Sequence, residues 1–196
     1  MSLHPASDPA FFESMYRGSD DPWNFATSEY EQGRFEAIVR TLAVKRYRHA
    51  FEPACSIGTL TVKLAEFCER ITACDLSQTA IEHARQRCAS WPHVSLACAP
   101  FTRETLVAEF DLVVLSELGY YFSRETWLDL VHTMVGNLPP GATVLCSHWL
   151  GSHPSHLQTS EEVHNALRSQ DLLQLELEEV HPGFRLDRFR RLDPAF

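Results

Sequence analysis

The sequence predicts an α/β protein: a Rossmann-like doubly wound sheet of about seven strands, mostly parallel, finished by an antiparallel C-terminal hairpin. Three observations predict it. Strand-like and helix-like segments alternate over most of the length, the pattern of right-handed crossovers on an open sheet. The run FDLVVLSEL is apolar enough to be a strand covered on both faces, as parallel sheets require. The tail LLQLELEEVHPGFRLDRFRRL alternates around His181-Pro182-Gly183 and reads as a terminal hairpin.

Taken in order, the first thirty or so residues form a polar, aromatic-rich arm, with a turn at SDDPW where Pro22 fixes φ. Ser28 and Glu31 make a capping box, and apolar residues at helical spacing carry that helix to about Val44. A short buried strand ends at Pro53, turns through Ala54–Gly58 and enters the helix TLTVKLAEFCE. ITACDLS is the second strand, and Ser77 can cap the helix QTAIEHARQRCASW. VSLACAP is the third strand and FDLVVLSEL the fourth, followed by the helix RETWLDLVHTMVGNL. The turn Pro139–Gly141 leads into a fifth strand, ATVLCSHW. Then come a His, Ser and Pro-rich loop, GSHPSHLQTS, the short helix EEVHNALRSQ and the hairpin. No repeat or low-complexity tract interrupts this order, and 196 residues suit a single domain.

Composition narrows the partners. Seventeen Lys and Arg against 26 Asp and Glu give a net charge of −9, which speaks against a nucleic-acid or anionic-membrane surface. The six cysteines, Cys55, Cys68, Cys74, Cys88, Cys98 and Cys146, show no CxxC spacing, and several sit in apolar strand-like runs. They read as reduced thiols. The start of the chain has neither a basic n-region nor an apolar h-region, and no uncharged apolar run reaches the length of a membrane span. A cytoplasmic protein without a bound metal is the expectation; oligomeric state is not readable from these features.

Chemistry is expected in the loops that follow the first four strands, where open α/β sheets bind ligands. After the first strand, Glu52-Pro53-Ala54-Cys55-Ser56-Ile57-Gly58 is small enough for close backbone approach by a ligand, with free N–H groups at the helix behind it. The same residues also suit a plain tight turn. Asp75, at the next strand end, has the chemistry to accept both hydroxyls of a ribose, or alternatively to cap the helix after it. His148 ends the fifth strand; an unperturbed histidine titrates near neutrality, so it could take a proton from an amine, although a histidine after a strand is more often structural.

The order EPACSIG, CDLS, FDLVVLSELGYYF and LPPGATVL resembles the class I S-adenosylmethionine-dependent methyltransferases over roughly residues 50–150. DPWNF followed by SEYEQGRF, the SIG turn and SELGYYF further resemble the NodS (nodulation protein S-like) family, whose type member N-methylates the free amine of a partially deacetylated chitooligosaccharide. The resemblance implies one methyltransferase domain over residues 1–196, with residues 1–46 as arm and lid helix, and S-adenosyl-L-methionine as cofactor. Glu52, Pro53, Ala54, Cys55 and Gly58 would form the first cofactor motif, Ala54 and Ser56 standing where many relatives have glycine. Asp75 would hold the ribose, with Leu76 beside the adenine. Most relatives carry an acid after the third strand; here Ala99-Pro100-Phe101 implies adenine held by Phe101 packing and by backbone near Pro100.

Trp23, Tyr30 and Arg34 resemble the family's lid and carboxylate clamp, Arg34 pairing with the methionine carboxylate of the cofactor. Ser116 and Glu117 would face the transferred methyl, with Glu117 holding an incoming ammonium or helping remove its proton. Tyr120 or Tyr121 would lie near the sulfonium. The implied acceptor is a small molecule, an amino sugar or oligosaccharide amine, with Glu117, Tyr121 and His148 as the catalytic set. The rival readings are an O- or C-methyltransferase and a non-catalytic module that keeps the cofactor fold. A nicotinamide oxidoreductase is disfavoured, because the full GxGxxG is absent and the sheet finishes antiparallel.

Overall fold

The computed structural model describes residues 9–106 and 110–193, so the first eight residues of the expected arm lie outside the described residues. The chain divides into two compact units, Met1–Phe101 and Thr102–Phe196.

The first unit runs α1 (Pro9–Gly18), α2 (Glu29–Leu42), β1 (Ala50–Pro53), α3 (Thr59–Leu64), β2 (Ile71–Asp75), α4 (Gln78–Arg87) and β3 (Val94–Cys98). β1 pairs in parallel with β2, Ala50 opposite Ile71, and β2 in parallel with β3, Ile71 opposite Val94. All four β1 residues are buried, as an inner parallel strand demands, whereas β3 alternates between half-buried and exposed, as an edge strand does. The helices start where the sequence places caps: Ser28 accepts from the Glu31 N–H, and Ser77 accepts from the Ala80 N–H at 3.0 Å.

The second unit holds a 3-10 turn (Arg103–Leu106), β4 (Leu112–Ser116), a second 3-10 turn (Gly119–Tyr121), α5 (Arg124–Asn137), β5 (Thr143–Trp149), α6 (Ser160–Arg168), β6 (Leu173–His181) and β7 (Phe184–Arg191). β4 pairs in parallel with β5, β5 antiparallel with β7, and β7 antiparallel with β6, around a turn where Gly183 takes φ 97°. The four inner residues of β4 and the first six of β5 are buried, matching the unbroken apolar runs. The strand order is β3-β2-β1-β4-β5-β7-β6: seven strands, mostly parallel, with the antiparallel hairpin at the C-terminal end. Among the described residues no helix is long and apolar enough to cross a membrane.

One element departs from the expected plan. Part of the polar arm is the helix α1, opened by Pro9 at its first position and closed by Gly18. That proline-first, glycine-last asymmetry is a helix signature. The helix is short, and only Tyr16 of its ten residues is buried.

Candidate active site

In the first unit, the loop after β1 has the backbone shape of a glycine-rich turn without the glycines. Ala54 and Ser56 adopt φ of 58° and 52°, in the left-handed region, and Gly58 follows at 77°. L-residues there cost about 1–2 kcal/mol each relative to their ordinary conformations, so the surroundings must impose the shape. A Cβ at Gly58 would lie 3.2 Å from the Ala84 Cβ, which fixes that position as glycine-sized. Asp75 supplies much of the constraint. Its Oδ2 accepts from the Ser56 N–H at 2.9 Å and its Oδ1 from the Ser77 N–H at 3.0 Å, tying the two loops together. Burial raises its pKa, and the backbone donors of Ser77, Ser56 and Leu76 pull against that rise. The capping role falls to Ser77, so Asp75 is not consumed as the helix cap and keeps acceptor capacity for a ligand.

Glu52 ends up fully enclosed, 3% exposed, with its Oε2 making no hydrogen bond. Burial pushes its carboxyl up to about 8; the Thr61 hydroxyl pulls the other way, and the Asp75 charge adds to the rise. Pro53 and Cys55 are buried beside it, and burial drives the Cys55 thiol well above its ordinary range, so it is an inert wall. An orphaned buried carboxyl oxygen, a left-handed loop and an acid at the next strand end fit S-adenosylmethionine. The first suits its ammonium, the second admits close approach of its methionine portion, and the third suits its ribose.

The arm closes on this loop through residues the sequence reading did not single out. The Tyr16 hydroxyl donates to Ser56 Oγ. Glu13 Oε2 accepts from Ser77 Oγ at 2.7 Å and from the Thr79 N–H at 3.2 Å, while its Oε1 accepts from Thr79 Oγ1 at 2.8 Å. These bonds hold the Glu13 carboxyl down at about 2, the Ser77 and Thr79 hydroxyls contributing most. Trp23 packs edge-on to Tyr16, 5.4 Å between centroids, and against the cluster of Tyr16, Ile57 and Ala80. The expected lid tryptophan is therefore beside the cofactor loop.

Two expected cofactor contacts look different. Arg34 is 1% exposed and turns its guanidinium onto Glu31 of its own helix, Nε at 3.0 Å and Nη2 at 2.6 Å from Oε2, rather than presenting an open fork. Glu31, in the first turn of α2, supplies that partner. Phe101 is 8% exposed and packs on Phe51 of β1, 5.9 Å between centroids, so it serves the core rather than an adenine face. Pro100 is exposed, and Leu76 and Tyr30 are half-buried.

The second unit carries a separate constellation at the ends of β4 and β5. Ser116 is half-buried at the end of β4. Glu117 follows with φ 57°, its N–H donating to the Ser147 carbonyl at 3.0 Å. Its Oε1 accepts from the Trp149 N–H at 2.7 Å, and its Oε2 from the Tyr120 hydroxyl. A left-handed backbone and two fixed donors aim one carboxylate, the kind of backbone strain that clusters at functional sites. Tyr121 lies edge-on to Tyr120, 4.9 Å between centroids, and burial, then the Glu117 charge, raise its phenol well above its ordinary value.

His148 is where the geometry corrects the reading. It is fully buried, and its Nε2 accepts from the Gly119 N–H at 3.0 Å. That bond consumes the basic lone pair and puts the ring proton on Nδ1, 3.3 Å from Cys146 Sγ. His148 therefore positions the 3-10 turn that carries the tyrosines and is unavailable as a general base. The same tautomer decides another matter. Donor atoms of Cys146, His148 and His164 lie within 4.8 Å of one another, as a metal site would require. With Nδ1 of His148 protonated and His164 Nδ1 3.0 Å from Asp187 Oδ2, those two nitrogens face protein partners, while His164 Nε2 makes no hydrogen bond among the described residues.

Fold and loop geometry together define a class: the protein is an S-adenosylmethionine-dependent methyltransferase, and comparison with known proteins agrees. The Nodulation protein S (NodS) family model matches residues 15–180. The chain belongs to the NodS family. Nodulation protein S of Bradyrhizobium diazoefficiens is 31% identical over 140 residues, 66% of this chain and 67% of that protein. The Sinorhizobium fredii protein is 28% identical over 168 residues, covering 81% and 75%. The crystal structure of N-methyltransferase NodS from Bradyrhizobium japonicum with S-adenosyl-l-homocysteine has a TM-score of 0.80 at 27% identity, covering 93% of this chain and 98% of that one. A putative methyltransferase from Pseudomonas syringae is 32% identical with a TM-score of 0.70, covering 84% and 100%.

Proposed function

We propose that the protein methylates the nitrogen of an amino sugar or oligosaccharide amine. The observation that carries this reading is Glu117, a carboxylate oriented by Tyr120 and the Trp149 N–H and set among aromatic rings. A carboxylate in such surroundings holds an ammonium or amine N–H strongly, because ring faces favour the cation and water screens it little. A hydroxyl acceptor gains far less from that charge.

Trp149 supports the sugar half of the reading. The residue is 37% exposed at the end of β5, and its ring lies so close to Gly151 that a Cβ there would come within 2.0 Å of it. A flat exposed indole suits the C–H face of a pyranose while its backbone N–H is fixed on Glu117. When bound, the cofactor supplies a methyl group made electrophilic by a positively charged sulfur. The chain's own residues bind and orient: Asp75 the ribose, Glu52 the ammonium, Glu117 the acceptor amine. In-line placement of acceptor and methyl is most of what the reaction needs. The single domain of both units and a cytoplasmic setting belong to the same reading; five of the six free thiols are buried, as reduced cysteines of a cytoplasmic enzyme are.

The test pairs two acceptors that differ only at nitrogen. Partially deacetylated chitooligosaccharide should gain one methyl by mass spectrometry, and the fully acetylated oligosaccharide none. Equal methylation of both would place the methyl on oxygen and remove the amine from the reading.

A further inference from the structure

With His148 committed to Gly119, the acceptor side needs another proton acceptor, and the loop after β5 supplies one. Gln158 Nε2 donates to the Gly119 carbonyl at 3.0 Å and to the Phe122 carbonyl at 3.1 Å, and the Leu157 N–H donates to the Tyr120 carbonyl at 2.8 Å. This loop is thereby stapled to the 3-10 turn, and the residue just before the staple is His156. Its imidazole stacks on the Tyr120 ring at 3.8 Å and 14°, and meets Tyr121 edge-on at 5.4 Å and 89°. Tyr120 is the residue whose hydroxyl holds Glu117.

We propose that His156 is the proton acceptor for the amine held at Glu117. The proposal rests on the amine reading above. Among the described residues neither ring nitrogen of His156 makes a hydrogen bond, in contrast to His148, so its basic lone pair is uncommitted on a ring that packing has fixed. The rings around it are Tyr120, Tyr121, Trp149 and His153, and the Tyr120 hydroxyl links this cluster to Glu117. Burial, then the neighbouring His153, hold its pKa below 6.5, so at neutral pH it is the free base.

The step balances simply. The incoming ammonium gives one proton to a ring nitrogen of His156, leaving a neutral amine and an imidazolium. The amine lone pair forms the new N–C bond to the methyl carbon as the S–C pair returns to sulfur, which turns from sulfonium to neutral thioether. The methylated nitrogen leaves carrying the positive charge, and the imidazolium returns its proton to water. The consequence is a pH profile. With His156 in place, the ammonium form of the acceptor is usable, and kcat/KM holds nearly level until His156 itself protonates. Without it, only amine already neutral in solution reacts, and amines of this kind titrate near about 8, like an α-amino group.

The experiment compares the parent with His156→Gln and His156→Ala, saturated with cofactor, on partially deacetylated chitooligosaccharide from pH 6 to 9. The parent should change by less than about threefold between pH 7.5 and 6.5, and both variants should fall about tenfold over that unit. Added imidazole should restore the low-pH rate of His156→Ala, which no loss of packing would permit. Independently of turnover, the His156 ring resonance of the cofactor-free full chain, assigned by its loss in His156→Gln, should titrate below 6.5. Variants that fold and keep the parent's profile, or a His156 ring still protonated at pH 7, overturn the proposal while the amine reading stands. A parent that methylates only hydroxyl acceptors overturns the amine reading, and this proposal with it.

Discussion

Replacing Glu52 by Gln should remove a large pH dependence from the stability of the cofactor-free protein. The folded state holds the Glu52 proton up to about pH 8, whereas the unfolded chain releases it near 4.5. Between those values the native state binds one more proton than the unfolded state, so stability falls as pH rises, by about 1.36 kcal/mol per unit. The whole interval is worth about 5 kcal/mol, and the stretch from pH 5.5 to 7.5 about 2.7 kcal/mol. The amide of Gln brings its own buried-donor cost, but that cost does not titrate, so the slope isolates the carboxyl. Urea denaturation of both proteins at several pH values, without cofactor, measures it. The parent should lose about 2–3 kcal/mol more than the variant over that stretch. Parallel stability curves would mean that Glu52 is ionised in the free protein, and the orphaned-carboxyl account of the cofactor site would fail.

Two further outcomes follow from the arm and the first loop. Glu13→Gln should raise hydrogen exchange across Pro9–Gly18 at neutral pH; in the parent, whose carboxyl is held at about 2, the contribution of this contact is complete above pH 4.5 and lost as pH falls toward 2. Unchanged exchange in the variant would show that the aromatic contacts alone seat α1. Ala54→Gly should raise stability by about 0.5 kcal/mol, since relief of a left-handed alanine outweighs the added unfolded-state entropy, and a loss by urea denaturation would contradict the imposed loop shape.

Much of this was legible in the sequence because the signals were local. The fourth and fifth strands announced themselves as apolar runs, the caps at Ser28 and Ser77 as side chains one turn from their partners, and the hairpin as alternation around His181-Pro182-Gly183. Asp75 and Glu117 were legible for a related reason: an acid directly after an apolar run has to sit at a strand end. What stayed hidden depends on contacts far along the chain. The tautomer of His148 is set by the Gly119 N–H, 29 residues away, and the state of Glu13 by Ser77 and Thr79, more than 60 away. Phe101 was read as a cofactor contact because nothing local says that Phe51 will claim its ring. His156 looked like one more polar residue of a His-rich loop until the Leu157 and Gln158 hydrogen bonds fixed where its ring lies. Arg34 met a partner within its own helix, three residues back, which the sequence offered and the resemblance overrode.

The central claim is that this protein moves a methyl group from S-adenosylmethionine to a sugar nitrogen. The most direct measurement uses cofactor labelled with carbon-13 at the methyl group and partially deacetylated chitooligosaccharide as acceptor, with the product read by carbon–proton correlation NMR. The account predicts a single labelled methyl bonded to nitrogen at the deacetylated residue. A labelled methyl on oxygen or carbon, or label that never leaves the cofactor, would contradict it.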